Sequence, residues 1–364
     1  MAITSLWLTD FRCFEATVFE PDLAGLTVLR GENGAGKTSL LEAVGWLATM
    51  RSFRGAPREA IVRTGAPRAI VRAEATSGAR AVLIEAELPA QGTARTQVNR
   101  QAVRRRVDLG QAVRVSVFSP DDLALVQDGP AHRRDYLDEV LVGGHPRFES
   151  LHDEVERILR QRGALLRQAS RAGPEAIDAS LDVWDARLAA AGEELAAARE
   201  ELAATLGPLV ADAYRRLAGT GNRDIVLGYR RSWEGTLDRA LAEARRDDVR
   251  RQVTTVGPHR DELEVTVEGR PARSQASQGE QRSVALALRL AAHQLACAQH
   301  DEPPILLLDD VFSELDHHRA TALVEQMPPG QTLLTTAVDP PPAVTPDRVV
   351  EVAHGRLVGS GGVR

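Results

Sequence analysis

The sequence predicts an α/β fold: a mixed sheet with flanking helices and an antiparallel β portion, interrupted by an inserted α-helical lobe. Three observations predict it. A short apolar strand, Leu26–Arg30, runs into a glycine-rich loop and then a helix, Thr38–Ala48. A second apolar run, Ile305–Leu308, is continuous rather than alternating, which suits a strand covered on both faces of a parallel sheet. Between them, from about Phe148 to Leu217, leucines recur every seven residues and the strand pattern disappears.

Taken in order, Ile3–Phe11, Leu26–Arg30, Ala69–Ala75 and Ala81–Leu88 read as strands. Val113–Phe118 is another short apolar run, ending at Ser119-Pro120, where Asp121-Asp122 can open a helix. In the lobe, Leu181, Leu188, Leu195, Leu202 and Leu209 form one stripe, with Trp184, Ala191 and Ala198 three places after the first three. Leu151, Ile158 and Leu165 form a second, and Arg171-Ala172-Gly173-Pro174 stands between them. That pattern predicts two antiparallel helices joined by a turn, a short coiled-coil hairpin, and Pro208 argues against a long continuous rod. It fits an arm that touches a partner or DNA as well as it fits an ordinary helical lobe. After Gly257 the α/β pattern returns, with strands at Leu263–Val267, Leu333–Val338 and Val349–Val352, a helix over Glu280–Ala296 and a loose tail from Gly359. The expected divisions are therefore 1–145, a helical insertion over 146–255, and 256–364.

Composition limits the function classes. With 43% hydrophobic and 26% charged residues in 364, a packed core is expected. Aromatics are only 4%, too few for a chain built on many base-stacking platforms. A formal charge of −6 excludes a protein that simply coats nucleic acid, so any such contact needs a local basic patch. Cys13 and Cys297 have neither metal-site nor disulfide spacing, which fits a reducing cytoplasm. The N-terminal residues do not read as a signal peptide, and the most apolar stretch, Val284–Ala298, is interrupted by Arg289 and His293, so a soluble protein is expected.

Lys37 is the only lysine among 45 basic residues. A bias toward arginine that spares one lysine marks a place where a compact ammonium does what a planar guanidinium cannot. That lysine sits in Gly31-Glu32-Asn33-Gly34-Ala35-Gly36-Lys37-Thr38, which fits G-x-x-x-x-G-K-[ST] between a strand and a helix. Glycines let backbone N–H groups face phosphate oxygens, and the helix start adds partial positive charge. Lys37 then reaches the β- and γ-phosphates of ATP, while the Thr38 hydroxyl binds Mg²⁺.

Downstream, Ile305–Leu308 ends in Asp309-Asp310. On the functional reading Asp309 holds Mg²⁺ through water and Asp310 is the general base for the attacking water; the alternative is a solvated acidic turn. Ser277-Gln278-Gly279-Glu280-Gln281 precedes a helix, so Ser277 and Gly279 read either as a second anion site or as a plain N-cap. Ser313-Glu314-Leu315-Asp316 follows the carboxylates. Four elements in this order are more specific than any one.

With these residues on the page, the chain resembles the RecF family of ABC-type ATPases, relatives of SMC heads. The resemblance also takes in Leu8-Thr9-Asp10-Phe11-Arg12, Ser52-Phe53-Arg54, Phe118–Leu123, Gly129-Pro130, Arg133-Arg134, Leu137-Asp138 and Gly257-Pro258-His259-Arg260-Asp261. It implies an ABC-ATPase head and an ATP-driven dimer, weakly active or DNA-stimulated. Each nucleotide lies between Gly31–Thr38 of one copy, with Arg12 beside it, and Ser277 and Gly279 of the other. It further implies a clamp in recombinational repair and the SOS response that closes on single-stranded, gapped or junction DNA. Such a clamp acts with RecO and RecR to load RecA. Two departures stand out. The glutamine usual at the end of Val113–Phe118 is absent, leaving Asp121 or Asp122 in its place, and Thr335 and Thr336 occupy the position of the switch histidine.

For DNA, Arg100, Arg104, Arg105 and Arg106 form one basic run and Arg133-Arg134 another; each arginine alone is as well read as a solvated charge. The competing reading is the soluble nucleotide-binding subunit of an ABC transporter. About 240 residues separate Lys37 from Ser277, with the helical insertion between, whereas transporter subunits place the two much closer.

Overall fold

The computed structural model describes residues 1–364 apart from 79, 104, 111, 173–177, 220–223, 328, 341, 343 and 359–364, and not the side chains of 106, 107, 169–172 and 314. The chain forms two compact units. The first takes Met1–Asp122, Arg216–Gly221 and Leu286–Arg364, and the second takes Leu123–Arg215 and Asn222–Ala285. The second unit takes in most of the expected helical insertion over 146–255 and begins earlier, after Asp122. The physical reason is that the segment after Asp122 packs on the helices and strands of the second unit.

The first unit opens with β1 (Ala2–Phe11), β2 (Phe14–Phe19), β3 (Leu26–Arg30), α1 (Lys37–Thr49), β4 (Arg68–Ser77), β5 (Arg80–Pro89), β6 (Arg95–Val98), β7 (Gln101–Val103), α2 (Arg106–Leu109) and β8 (Val115–Phe118). The second holds α3 (Ala124–Gln127), α4 (Pro130–Gly144), α5 (Arg147–Ala172), most of α6 (Asp178–Ala218), β9 (Ile225–Arg230), α7 (Leu237–Arg251), β10 (Glu262–Val267), β11 (Arg270–Pro271), α8 (Ala272–Gln275) and the start of α9 (Gln278–Gln299). The chain finishes in the first unit with β12 (Ile305–Asp309), α10 (His317–Gln326), β13 (Thr332–Thr336), β14 (Arg348–Ala353) and β15 (Arg356–Val358).

Two sheets build the first unit. One is antiparallel, in the order β2-β1-β4-β5-β6-β7; the other runs β15-β14-β3-β13-β12-β8 and is parallel except for the β14/β15 pair. Every residue of β12 is buried, as its continuous apolar run requires. α1 packs against β1, β4 and β5 of the first sheet and β8, β12 and β13 of the second. A helix covered on opposite sides must be apolar nearly all round. Leu40, Leu41, Ala43, Val44 and Leu47 are indeed all fully buried.

Glu42 is the exception on that helix and is fully buried. An unpaired carboxylate there would cost several kcal/mol. Arg12 meets it through two bonds, Nε to Oε2 at 2.7 Å and Nη2 to Oε1 at 2.6 Å, and Ser52 Oγ also donates to it. The helix that opens at the glycine-rich loop is thus tied to both the β1–β2 turn and the segment after its own C-terminus.

In the second unit α5 and α6 are antiparallel, since Arg162 bonds Asp185, Leu166 packs on Leu181 and Arg187 bonds Glu154. Leu181, Leu188, Leu195 and Leu202 are buried along the predicted stripe. Pro208 does not end the helix: α6 runs unbroken for 41 residues with Pro208 inside it. Proline forfeits one main-chain bond and crowds the carbonyl four residues back, and the packed face of Leu202, Leu206 and Val210 carries the helix past it. The predicted turn at 173–174 lies outside the described residues.

Candidate nucleotide site

β3 delivers the chain to the loop Gly31–Gly36, and α1 starts at Lys37. Gly31 faces the neighbouring strand so closely that a Cβ there would lie 2.1 Å from the Val352 carbonyl oxygen. Gly36 has φ +114°, and a Cβ on it would meet Cys13 Sγ at 2.6 Å. Only glycine fits both places. At the start of α1, the N–H groups of Lys37, Thr38 and Ser39 have no partner within the helix, which makes this end an anion cradle.

Lys37 Nζ donates to the carbonyl oxygens of Gly31 (2.7 Å) and Glu32 (2.9 Å), so its ammonium curls over the loop. Burial lowers the Lys37 pKa, opposed by the charges of Asp310 and Asp309. Parallel pairing of β3 with β13 and of β13 with β12 brings Asp309, 271 positions along, beside Thr38. Thr38 Oγ1 donates to Asp309 Oδ1 at 2.7 Å, and Thr335 Oγ1 donates to the same oxygen at 2.8 Å. Burial raises the Asp309 pKa, while the two hydroxyl bonds and the charge of Arg54 pull it back.

Asp310 follows in a left-handed conformation, φ 49°. For a residue with a Cβ this stores about 1–3 kcal/mol of strain and is held by its surroundings. Its backbone N–H donates to Thr335 Oγ1 at 2.9 Å. Its Oδ1 is buried with no hydrogen-bond partner among the described residues, an acceptor left free at the end of the strand. A hydroxyl and a carboxylate in contact form an all-oxygen set suited to Mg²⁺, which takes a few protein ligands alongside substrate phosphates. No cluster of three or more His, Cys, Asp or Glu side chains that could hold a metal occurs among the described residues.

Ser277 and Glu280 form a reciprocal cap at the start of α9. Glu280 Oε2 accepts from Ser277 N (2.7 Å) and Oγ (2.8 Å), and Ser277 Oγ accepts from Glu280 N (3.3 Å). Ser277 and Gln278 are exposed, so this helix end faces outward. Behind it Gln281 Nε2 bonds the carbonyls of Ala272 and Arg273, and its Oε1 accepts from Gln127 Nε2 at 2.9 Å. Gln127 follows Phe118 by nine positions, and only the fold brings it to Gln281, 154 positions away. Asp122 accepts from Ser119 N and from Arg289 Nε, so it braces β8 against α9.

The basic residues need correction. Arg133 does not face solvent: it is buried, bonds both oxygens of Glu262 (2.8 and 3.2 Å) and donates to the carbonyls of Leu125 and Asp128. It is a strut between α4 and β10, not a DNA contact. Arg134 is half-buried and donates to the Asp261 carbonyl at 2.8 Å. Arg12 is committed to Glu42 and the Ala60 carbonyl. Arg100 is exposed at the β6–β7 turn, and Arg105 is exposed and bonds Asp108. Arg104 and the Arg106 side chain lie outside the described residues.

Comparison with known proteins identifies the family and the fold. A family model, the RecF/RecN/SMC N-terminal domain, matches residues 2–339. The DNA replication and repair protein RecF of Frankia alni is 42% identical over 381 residues, covering 98% of this chain and 99% of that protein. Its counterpart from Streptomyces avermitilis is 43% identical over 354 residues, covering 93% and 94%. Among solved structures, the recombination mediator protein RecF–ATPrS in the RecFOR pathway superposes with a TM-score of 0.88 at 25% identity, over 98% of this chain and 97% of that one. The Smc head domain from Pyrococcus furiosus shares the fold, with a TM-score of 0.58 at 15% identity over 98% and 96%.

Proposed function

The chain belongs to the RecF family, and on that premise we propose that it is an ATP-dependent DNA clamp of replication and recombinational repair. The observation that carries the reading is the meeting of Thr38 with Asp309 at the mouth of the glycine-rich loop, with an unpartnered Asp310 oxygen beside it. ATP would rest its phosphates on the N–H groups of Gly34–Thr38, and Lys37 would swing from its two carbonyls to the β- and γ-phosphates. Thr38 and Asp309 are the residues that would hold Mg²⁺, which neutralises phosphate charge when bound. Asp310 orients the attacking water and accepts its proton.

Ser277 and Gly279, exposed or half-buried at the start of α9, complete the pocket of a second copy. ATP then joins two copies around DNA, and hydrolysis releases them. The DNA surface is carried by Arg100, Arg104, Arg105 and Arg106. Its sequence-independent phosphate contacts suit gapped or single-stranded DNA handed on with RecO and RecR. The transporter reading is not favoured: the relatives found are replication and repair proteins.

Replacing Ser277 by Arg tests the shared pocket. The variant should bind ATP about as tightly as the parent but lose ATP-dependent retention on gapped DNA. ATP-dependent retention equal to the parent's would rule out a pocket completed in trans.

A further inference from the structure

We infer that Thr335 is the residue that positions the catalytic carboxylates, filling the switch position with a hydroxyl clamp; the inference rests on the ATPase reading above. Thr335 is fully buried in β13, directly opposite Asp309 of β12 and Leu29 of β3. Its single hydroxyl serves both aspartates, donating to Asp309 Oδ1 at 2.8 Å and accepting from Asp310 N–H at 2.9 Å. The Thr335 carbonyl accepts from that same N–H at 3.2 Å, so the left-handed turn at Asp310 is held from two sides. A hydroxyl has one proton to give, and here it is committed to Asp309.

The neighbouring threonine is used differently. Thr336 Oγ1 donates to the Val338 carbonyl and accepts from Val338 N, closing a turn. Of the two candidates for the switch position, only Thr335 touches the carboxylates.

Thr38 explains why a second hydroxyl is needed. Asp309 Oδ1 accepts from both Thr38 and Thr335, yet Thr38 also has to serve the metal. The Thr38 oxygen would give Mg²⁺ a lone pair and leave its proton for Asp309, so Thr335 supplies a second donor to Asp309 whose oxygen is not shared with the metal. Thr335 would thus hold the Asp309 carboxylate by a bond independent of the metal and keep the Asp310 N–H in its left-handed turn. Thr335 acts through the two aspartates and is a positioning residue.

Two variants test this. Thr335→Val keeps the shape and removes the hydroxyl; Thr335→Ser keeps the hydroxyl and removes the methyl. Steady-state hydrolysis gives kcat and KM, and a fluorescent ATP analogue titrated with Mg²⁺ gives the metal dependence of nucleotide affinity without turnover. Thr335→Val should lower kcat at least about tenfold with KM within about threefold, the pattern of a group that acts in the transition state. Half-saturating Mg²⁺ should rise about tenfold, and Thr335→Ser should restore both values to within about threefold of the parent. Parent-like kcat and Mg²⁺ response in Thr335→Val, or a Thr335→Ser variant as impaired as Thr335→Val, would overturn the assignment. A parent protein that neither hydrolyses ATP nor responds to Mg²⁺ would instead strike the ATPase reading itself.

Discussion

Asp310 combines a left-handed backbone, an N–H held by Thr335 and a buried oxygen without a partner among the described residues. Such a group suits the general-base role proposed for it. Replacing it by Asn keeps the shape and removes the proton acceptor. Turnover should fall by roughly 100-fold or more while ATP affinity changes by less than a few-fold. Single-turnover hydrolysis measures it, and unchanged turnover would remove Asp310 from the role. His293 supports a prediction about acid. It is buried against Ser116 and Cys297, and burial moves its pKa from 6.5 to about 4. The folded ring therefore stays neutral over a range in which the unfolded ring is protonated. Stability contributed by His293 is present above pH 6.5 and is lost as pH falls toward 4, by roughly 3 kcal/mol at the bottom of that window. His293→Gln should flatten the fall in unfolding free energy between pH 6.5 and 4.5, measured by denaturant titration. An equal slope in parent and variant would contradict this.

Among elements, α4 shows how the fold reassigns a charge. Arg133 looked like half of a basic pair for DNA, yet it bonds Glu262 of β10 from inside the unit. Breaking a buried pair leaves a charge without compensation and costs about 3 kcal/mol. Arg133→Leu should therefore destabilise the protein by about that amount and leave the salt dependence of DNA binding unchanged. Denaturant unfolding together with binding at several salt concentrations decides it; a stable variant with a shallower salt slope would restore Arg133 to the DNA surface. The same contrast explains what was legible. β3, α1 and β12 could be read because each motif is a contiguous string whose local pattern sets its structure. Short strands such as β2, β6, β7 and β15 are not legible in the sequence because their partners, not their own patterns, make them strands. Glu42 was legible in principle, as an acid in the apolar run Leu40-Leu41-Glu42-Ala43-Val44. Its partners Arg12 and Ser52 were not, nor was the Gln127–Gln281 bond. These are long-range pairings that carry no local periodicity. The continuity of α6 through Pro208 has the same origin: the packed leucine face outweighs one lost main-chain bond.

For the whole molecule, the parts separate into two compact units with different tasks. The first holds the loop, the lysine, both aspartates and Thr335 around a helix covered by two sheets. The second holds the helical hairpin and Ser277 at an outward-facing helix end. A chain with a formal charge of −6 has little general affinity for DNA, so on the proposed clamp reading closing two copies around it would replace electrostatic attraction with topology. The central claim is that one triphosphate is shared by two copies. The most direct measurement is the molecular mass in solution, at one salt concentration, without nucleotide, with ADP and with ATP, for the parent and Lys37→Ala. A mass that doubles only with ATP, and only when Lys37 is present, is predicted; a parent protein that stays a single chain when saturated with ATP would contradict the clamp.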